Sequence, residues 1–280
     1  KGGQGLMLGG ISGVAPADQA DQHLCDYNDV GGLEAAVAAA GDNLAAIFAA
    51  PFKHDVFVDQ AAPTQAFARR ARELADQTGA LLVVDDVRAG FRIARDCSWS
   101  IVGVEPDLSC WGKCIANGHP ISALVGADKA RAGAEAIFTT GSYWFAGAAM
   151  AASLVTLAMI RDTGYLERIE GLGKRFRAGL DERSAAHGFA LRQSGPPQMP
   201  LLLFEDDPDM RLGYFWSSQM VSRGVYVHPW HNMFLSAAMT EADIDAALDA
   251  ADAGFRALAQ AAPRLGPVEK LAKVLAARAR

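Results

Sequence analysis

The sequence predicts an α/β fold in which a mostly parallel sheet is sandwiched by helices. The main observation is an apolar run at residues 44–50, an amphipathic helix at 63–79 and a second apolar run at 81–87. A strand, a helix and a strand in this order, with short connections, are typical of a right-handed parallel crossover. Because a parallel sheet is buried on both faces, we expect helices on each side of it.

A change of pattern after Gln193 predicts a smaller α+β domain at the carboxyl end. Short strands are expected there at residues 200–204 and 225–228, and amphipathic helices at 210–223 and 240–259. We therefore divide the chain into a large domain at residues 1–163 and a smaller C-terminal domain at 164–280.

The other elements of the large domain follow from hydrophobic spacing, Gly and Pro. An Ala-rich stretch at 29–41 has apolar residues at helical spacing and predicts a short helix. Pro51 ends the first strand, and Gly79 ends the helix after it. Further short strands are expected at residues 107–111 and 121–126.

Two long helices follow along the chain. Residues 146–161 are apolar nearly all round, which predicts a buried helix. Residues 165–187 are amphipathic, with apolar side chains on one face and charges on the other. We expect the second helix to pack through its apolar face.

Composition excludes several classes of protein. Of 280 residues, 51% are hydrophobic, and 26 basic against 32 acidic residues give a net charge of −6. This balance argues against a nucleic-acid binder, and no apolar stretch is long enough to span a bilayer. The 4 cysteines and the absence of a secretory leader in the given sequence predict a reducing, cytoplasmic location.

Two carboxylates end the second strand. Alternation along a strand sends Asp85 and Asp86 to opposite faces, so they are not a shared acid–base pair. A buried carboxylate at this edge needs a cation or several hydrogen-bond donors. From spacing alone, capping of the turn at 88–91 explains these residues equally well.

A lysine follows the next strand. Lys113 comes directly after Gly112, in a turn whose glycines allow close approach to a ligand. It is either a solvated surface group or a desolvated amine of lowered pKa that forms a Schiff base. The hydroxyls of residues 139–142 suit a phosphate or a helix cap equally. We expect no metal site, because the two histidines of residues 228–231 have no established ligand spacing.

These motifs, in this order, resemble the class III aminotransferases, which are pyridoxal-phosphate enzymes of fold type I. Residues 81–92 are similar to the family's Asp-Glu-Val-x-Thr-Gly-Phe-Arg, and residues 106–126 contain Pro-Asp-Leu, Gly-Lys and a downstream Pro. Residues 140–150 are similar to Gly-Thr-x-Ser-Gly-Asn-Pro. The resemblance extends from about Tyr27 to about Ala259 and is greatest to the glutamate-1-semialdehyde aminomutase branch.

The resemblance implies a role for four residues. Lys113 would be the catalytic Schiff-base lysine, and Asp85 the partner of the pyridine nitrogen. Val87 would lie against one face of the ring. Ser142 would lie near the phosphate of a cofactor bound mainly by the neighbouring subunit, so a homodimer with shared active sites is expected.

The implied reaction moves an amino group from a small amine or amino acid to a keto or aldehyde acceptor. An aminomutase or epimerase uses the same chemistry, and a non-catalytic relic of the fold is a further alternative. Family members carry a preceding region, so we expect this chain to be part of a longer enzyme. The chain departs from the family at Asp86, Ala89, Ser142 and residues 144–147, which leaves the substrate open.

Overall fold

The computed structural model describes residues 20–271, which form two compact units. The first contains residues 20–55 and 61–166, and the second contains Val56–Gln60 and residues 167–271. Among the described residues, no helix combines the length and the apolar character needed to cross a membrane.

The first unit is built on a four-stranded sheet. Its strands β1 to β4 are Ala46–Ala49, Leu81–Asp85, Leu108–Trp111 and Ala123–Gly126. They lie side by side in chain order, and β1, β2 and β3 are parallel while β4 is antiparallel to β3. The mostly parallel sheet is therefore confirmed, and it places the carboxyl ends of β2 and β3 next to each other.

Two helices cover one face of this sheet, α1 at Val30–Ala40 and α2 at Gln65–Thr78. The Asp29 carboxylate caps α1 by accepting from the Gly32 N–H, and the Thr64 hydroxyl caps α2. Their apolar sides pack on β1 and β2 in one core, which includes Leu33, Val37, Ile47, Phe67, Leu74, Leu82, Val84 and Trp99.

The next helices are α3 at Arg131–Ala136 and α4 at Gly147–Asp162. The prediction that α4 is buried is wrong for the described residues. Only Ala149, Ser153 and Ile160 are buried, whereas Leu154 is 71% exposed. An apolar composition favours burial of a helix, but it does not show which surface covers it.

The second unit combines α5 at Tyr165–Ala186, α6 at Arg211–Val221 and α7 at Glu241–Ala261 with a two-stranded antiparallel sheet. The strands of that sheet are β5 at Leu191–Ser194 and β6 at Leu201–Phe204. Because the division of the chain falls after Leu166, the first two residues of α5 belong to the other unit.

The core of the second unit is aromatic. Trp216 stacks on Phe255 with ring centroids 5.1 Å apart, and Phe204 meets both rings edge-on. The strand predicted at residues 225–228 is wrong, because that segment has no ladder partner among the described residues. Its Val-Tyr-Val pattern reflects burial of Val227 in this core rather than pairing in a sheet.

Candidate functional site

The two neighbouring aspartates at the end of β2 lie in different surroundings, as strand alternation predicts. Asp85 is half-buried, and its carboxylate accepts from the Val87 N–H at 3.1 Å. Asp86 is 1% exposed, and its carboxylate accepts from the Ser98 N–H at 2.8 Å. Burial raises the pKa of Asp86. Asp86 therefore anchors the loop inside the unit, and Asp85 caps the turn that follows the strand.

The turn after β2 is fixed against the end of β3. The Gly90 N–H donates to the Asp86 carbonyl at 2.8 Å, and Phe91 stacks on Trp111 with ring centroids 4.3 Å apart. A Cβ on Gly90 would lie only 2.7 Å from the Trp111 ring. The turn therefore requires glycine at this position, and its packing defines where the side chains of residues 85–88 lie.

Lys113 begins the turn that follows β3. Its backbone φ is 43°, in the left-handed region, which costs a non-glycine residue about 1–2 kcal/mol. The short 3₁₀ helix Lys113–Ala116 is anchored by the buried Ile115 and by packing against α4. Strain of this kind persists only where the surroundings impose it, and it is typical of functional positions.

Val87 lies against the backbone of the lysine turn. A Cβ placed on Gly112 would be 3.4 Å from Val87 Cγ1, so this side chain contacts the residue directly before Lys113. The structure thus brings Asp85, Val87 and Lys113 together at the adjacent ends of β2 and β3. Ligands of open α/β sheets bind outside the carboxyl ends of the strands, at this kind of edge.

Local charge and partial burial act on the Lys113 amine. The residue as a whole is exposed, yet its pKa is lowered, first by partial burial of the amine and then by the nearby Arg88 guanidinium. Asp85 opposes this shift, and Arg92 adds to it. The lysine is therefore open to a ligand from one side and partly desolvated on the other.

The chain is similar to known proteins over most of its length. The profile described as aminotransferase class-III matches residues 4–250. The chain belongs to the class III aminotransferase family. The aminopentol aminotransferase of Sphingopyxis macrogoltabida is 54% identical over 247 residues, covering 88% of this chain and 58% of that protein. A glutamate-1-semialdehyde 2,1-aminomutase of Bacillus cereus is 32% identical over 241 residues, covering 81% of this chain and 56% of the aminomutase.

Solved structures confirm the expected fold. The FumI protein of Sphingopyxis sp. MTA144, solved in its PLP internal aldimine form, superposes with a TM-score of 0.91 at 52% identity. The match covers 94% of this chain and 63% of that one. A transaminase with PLP bound has a TM-score of 0.79 at 19% identity, which supports the fold alone. The class III chain thus has fold type I and spans less than two thirds of these relatives.

Two arginines that act electrostatically on Lys113 were given no role by the sequence reasoning. Arg88 is half-buried beside Val87, and its backbone carbonyl accepts from Arg92 Nη1 at 2.5 Å. Both lie inside the segment that carries the resemblance to the family. Arg92 matches the arginine of the family motif but was given no role, and Arg88 stands at the position that the motif leaves unspecified. The signal that could have revealed them is a pair of cations within seven residues of a strand-end carboxylate.

Ser142 takes no part in the contacts around Lys113 described above. It lies in the segment between α3 and α4, where it is exposed next to the exposed Tyr143 and Phe145. Its expected role near a phosphate stays a prediction.

Cys114 also contributes to the lysine turn. Its Sγ lies 3.4 Å from the Tyr165 hydroxyl oxygen, at the start of α5. Burial and the neighbouring thiol raise the pKa of Tyr165. This contact ties the residue after Lys113 to the first residue of a long helix and so helps to hold the turn in place.

The histidines of residues 228–231 lie in the second unit. The rings of His228 and His231 have centroids 5.8 Å apart, and burial together with His231 lowers the pKa of His228. Between residues 20 and 271 there is no group of three or more His, Cys, Asp or Glu side chains that could hold a metal ion.

Proposed function

We propose that this class III chain is part of a pyridoxal-phosphate-dependent aminotransferase. The reaction moves an amino group from a small amine or amino acid to a keto or aldehyde acceptor. The observation that carries the proposal is the partly desolvated amine of Lys113, in a turn packed against Val87 and within the electrostatic reach of Asp85. The 54% identity to an aminotransferase favours transfer between two substrates over the aminomutase, epimerase and non-catalytic alternatives.

The residues present fit this cofactor chemically. Lys113 would provide the amine for the aldehyde carbon, and its lowered pKa increases the fraction of that amine that is neutral and nucleophilic. Asp85 provides a carboxylate for a protonated ring nitrogen, and Val87 an apolar surface for a ring face. An aldehyde, a basic ring nitrogen and an aromatic face thus each have a matching group at one sheet edge.

Each of these side chains has a distinct task in the proposed reaction. When bound, the cofactor supplies an electron-accepting ring that stabilises negative charge on the substrate carbon. Asp85 would hold a negative charge for the ring nitrogen and so favour its protonated form. Lys113 Nζ would take the proton from the substrate α carbon as a general base and later return a proton as an acid. Val87 would offer an apolar surface that orients the ring for these transfers.

We also propose a cytoplasmic homodimer in which Ser142 donates to the cofactor phosphate of the partner's site. The support is an apolar surface on α4 and the segment before it. Phe138 is 92% exposed, and Leu154 and Val155 are exposed along one side of α4. Exposed apolar side chains grouped on one element in this way are typical of a protein interface. We keep residues 1–163 as the cofactor-binding domain and 164–280 as the smaller domain, which the division after Leu166 supports.

Borohydride reduction followed by peptide mass analysis tests the proposal. Reduction of the full natural chain with its cofactor should leave the cofactor mass on the peptide that contains Lys113. Lys113→Ala should lose both the mass and the yellow colour. Lys174→Ala is the matched control, because Lys174 is exposed on α5 and paired with Glu170. An unlabelled Lys113, or label on another lysine, would refute the assignment.

A half-reaction assay identifies the type of transfer. We expect an amine donor alone to convert the cofactor to its aminated form, and a carbonyl acceptor then to restore the aldehyde form. Product formation from a single substrate, without an acceptor, would instead indicate an aminomutase.

A further inference from the structure

We propose that Tyr165 is a positioning residue for Lys113 and acts through Cys114, the residue that follows the lysine. This inference rests on the proposed function and deepens it. The Tyr165 hydroxyl holds the backbone that presents the lysine amine, and so speeds the bond that the amine forms with an aldehyde.

The lysine turn has a strained backbone that needs anchors. Lys113, at its start, and Asn117, at its end, have positive φ values of 43° and 47°. Non-glycine residues keep such a backbone only where packing imposes it. Ile115 supplies one anchor, because its buried side chain lies in an apolar cluster with residues of α4. The second anchor is the side chain of Cys114.

The contact of Cys114 with Tyr165 joins residues that are 51 positions apart in the chain. The sulfur and the hydroxyl oxygen lie 3.4 Å apart, and both side chains are half-buried. Burial raises the pKa of Tyr165 above its ordinary value, so the hydroxyl keeps its proton at neutral pH. A protonated phenol can donate to a thiol sulfur, which is a weak acceptor.

The chain that carries Tyr165 is itself fixed at the corner between α4 and α5. Arg95 Nε donates to the Ile160 carbonyl at 2.9 Å, and Arg95 Nη2 donates to the Thr163 carbonyl at 3.0 Å. The Thr163 N–H donates to the Met159 carbonyl at 3.1 Å. Because Tyr165 follows only two residues after Thr163, its ring is presented by a well-anchored backbone.

The contact should act on the reactivity of the amine rather than on the affinity for the cofactor. Lys113 Nζ stands at the end of a flexible side chain, so the range of positions that it samples depends on how firmly its backbone is held. A wider range lowers the rate of bond formation, because fewer arrangements place the amine in line with the aldehyde carbon. Loss of the Tyr165 hydroxyl removes no group that we assign to cofactor binding.

The rate at which the cofactor-free full natural chain bonds to pyridoxal phosphate through Lys113 tests the inference. Tyr165→Phe keeps the ring and removes the hydroxyl. We expect the rate to fall roughly 2- to 10-fold, as for loss of one hydrogen bond. The affinity for pyridoxamine phosphate, which has no aldehyde, should not change. Tyr226→Phe is the matched control, because Tyr226 is 81% exposed.

A double-mutant cycle shows whether the effect passes through the thiol. Cys114→Ala should slow the reaction as much as Tyr165→Phe, and the double variant should be no slower than either single variant. Cys114→Ser, which keeps a hydrogen-bonding group, should recover part of the rate. Circular dichroism checks that each variant is folded, and the two Cys114 variants decide the matter if Tyr165→Phe is not.

Other results would overturn the inference. An unchanged rate in folded Tyr165→Phe or Cys114→Ala would show that the contact does not position the lysine. An equal loss of affinity for pyridoxamine phosphate would show a general structural role, and additive effects in the double variant would show that the two residues act independently. Failure of the unaltered protein to label Lys113 with borohydride would instead refute the proposed function itself.

Discussion

At the scale of single residues, Lys113 combines three properties that surface lysines lack. Its backbone is in the left-handed region, its amine is partly desolvated, and two guanidinium groups lie near enough to act on it. The backbone conformation costs stability, and the other two properties lower the affinity of the amine for a proton. Such features are typical of functional positions rather than of inert surface residues. Partial desolvation and nearby positive charge both favour the neutral amine, which is the nucleophilic form.

The lowered pKa of Lys113 predicts a shifted pH dependence. Only the neutral amine attacks an aldehyde, so the rate of its reaction rises as the pH passes through the pKa. We expect half-maximal reactivity with pyridoxal phosphate in the cofactor-free protein below pH 10.5, the ordinary value for lysine. Arg88→Met should move the midpoint to higher pH, because Arg88 is the second cause of the shift after burial.

The rate of covalent modification measured against pH, with N-acetyl-lysine as reference, checks this expectation. Arg161→Met should leave the midpoint in place. A midpoint equal to that of the reference in the unaltered protein would contradict it.

Not every residue near Lys113 could be predicted from the sequence. The motif identified Asp85, Val87 and Lys113, and the structure places all three at one edge because β2 and β3 are parallel neighbours. Arg88 was missed because it stands at a position that the family pattern leaves unspecified. Packing and charge around a variable position become visible only when the turn that carries it is seen in three dimensions.

At the scale of secondary-structure elements, the connection between β2 and β3 depends on close packing of a turn against an aromatic ring. A Cβ on Gly90 would lie 2.6 Å from the Asp86 carbonyl oxygen and 2.7 Å from the Trp111 ring. Neither atom is the end of a flexible side chain. The turn and the lysine segment therefore cannot both keep their positions if residue 90 gains a side chain.

We predict that Gly90→Ala lowers the free energy of unfolding by about 1–3 kcal/mol, as overpacking does in protein interiors. It should also reduce borohydride labelling of Lys113. Urea denaturation measures the first effect and peptide mass the second. The matched control is Gly133→Ala in α3, where no atom lies within 4 Å of the added Cβ. Equal stability of the two variants would refute this role of Gly90.

Most elements of the first unit could be predicted, because their signals are local. Asp29 and Thr64 cap helices whose first residues were predicted to within two positions. Gly79 ends α2 with a φ of 74°. The prediction of a strand at residues 225–228 was wrong for a non-local reason. Alternating apolar side chains there satisfy a core contact, and pairing in a sheet requires a neighbour that no local pattern reveals.

At the scale of the whole molecule, α4 leaves several apolar side chains exposed in the described residues. The sequence predicted burial from the composition of this helix, and in the described residues its outer side is exposed. Both observations agree if the covering surface comes from another polypeptide segment. A second copy of the chain is the occupant that we propose.

We predict that Leu154→Glu weakens dimerisation of the full natural chain, because the substitution puts a charge into the proposed apolar interface. Sedimentation velocity should show a larger fraction of monomer than in the unaltered protein. The control is Ile101→Glu, since Ile101 is also an exposed apolar residue but lies outside α4. Identical sedimentation of Leu154→Glu and the unaltered protein would argue against this interface.

The most direct test is an experimental structure of the full natural chain with pyridoxal phosphate added. We predict continuous electron density between Lys113 Nζ and the aldehyde carbon of the cofactor, with the Asp85 carboxylate facing the ring nitrogen and Val87 against the ring. A cofactor bound elsewhere, or an ordered Lys113 pointing into solvent with no bond to it, would contradict the proposed chemistry.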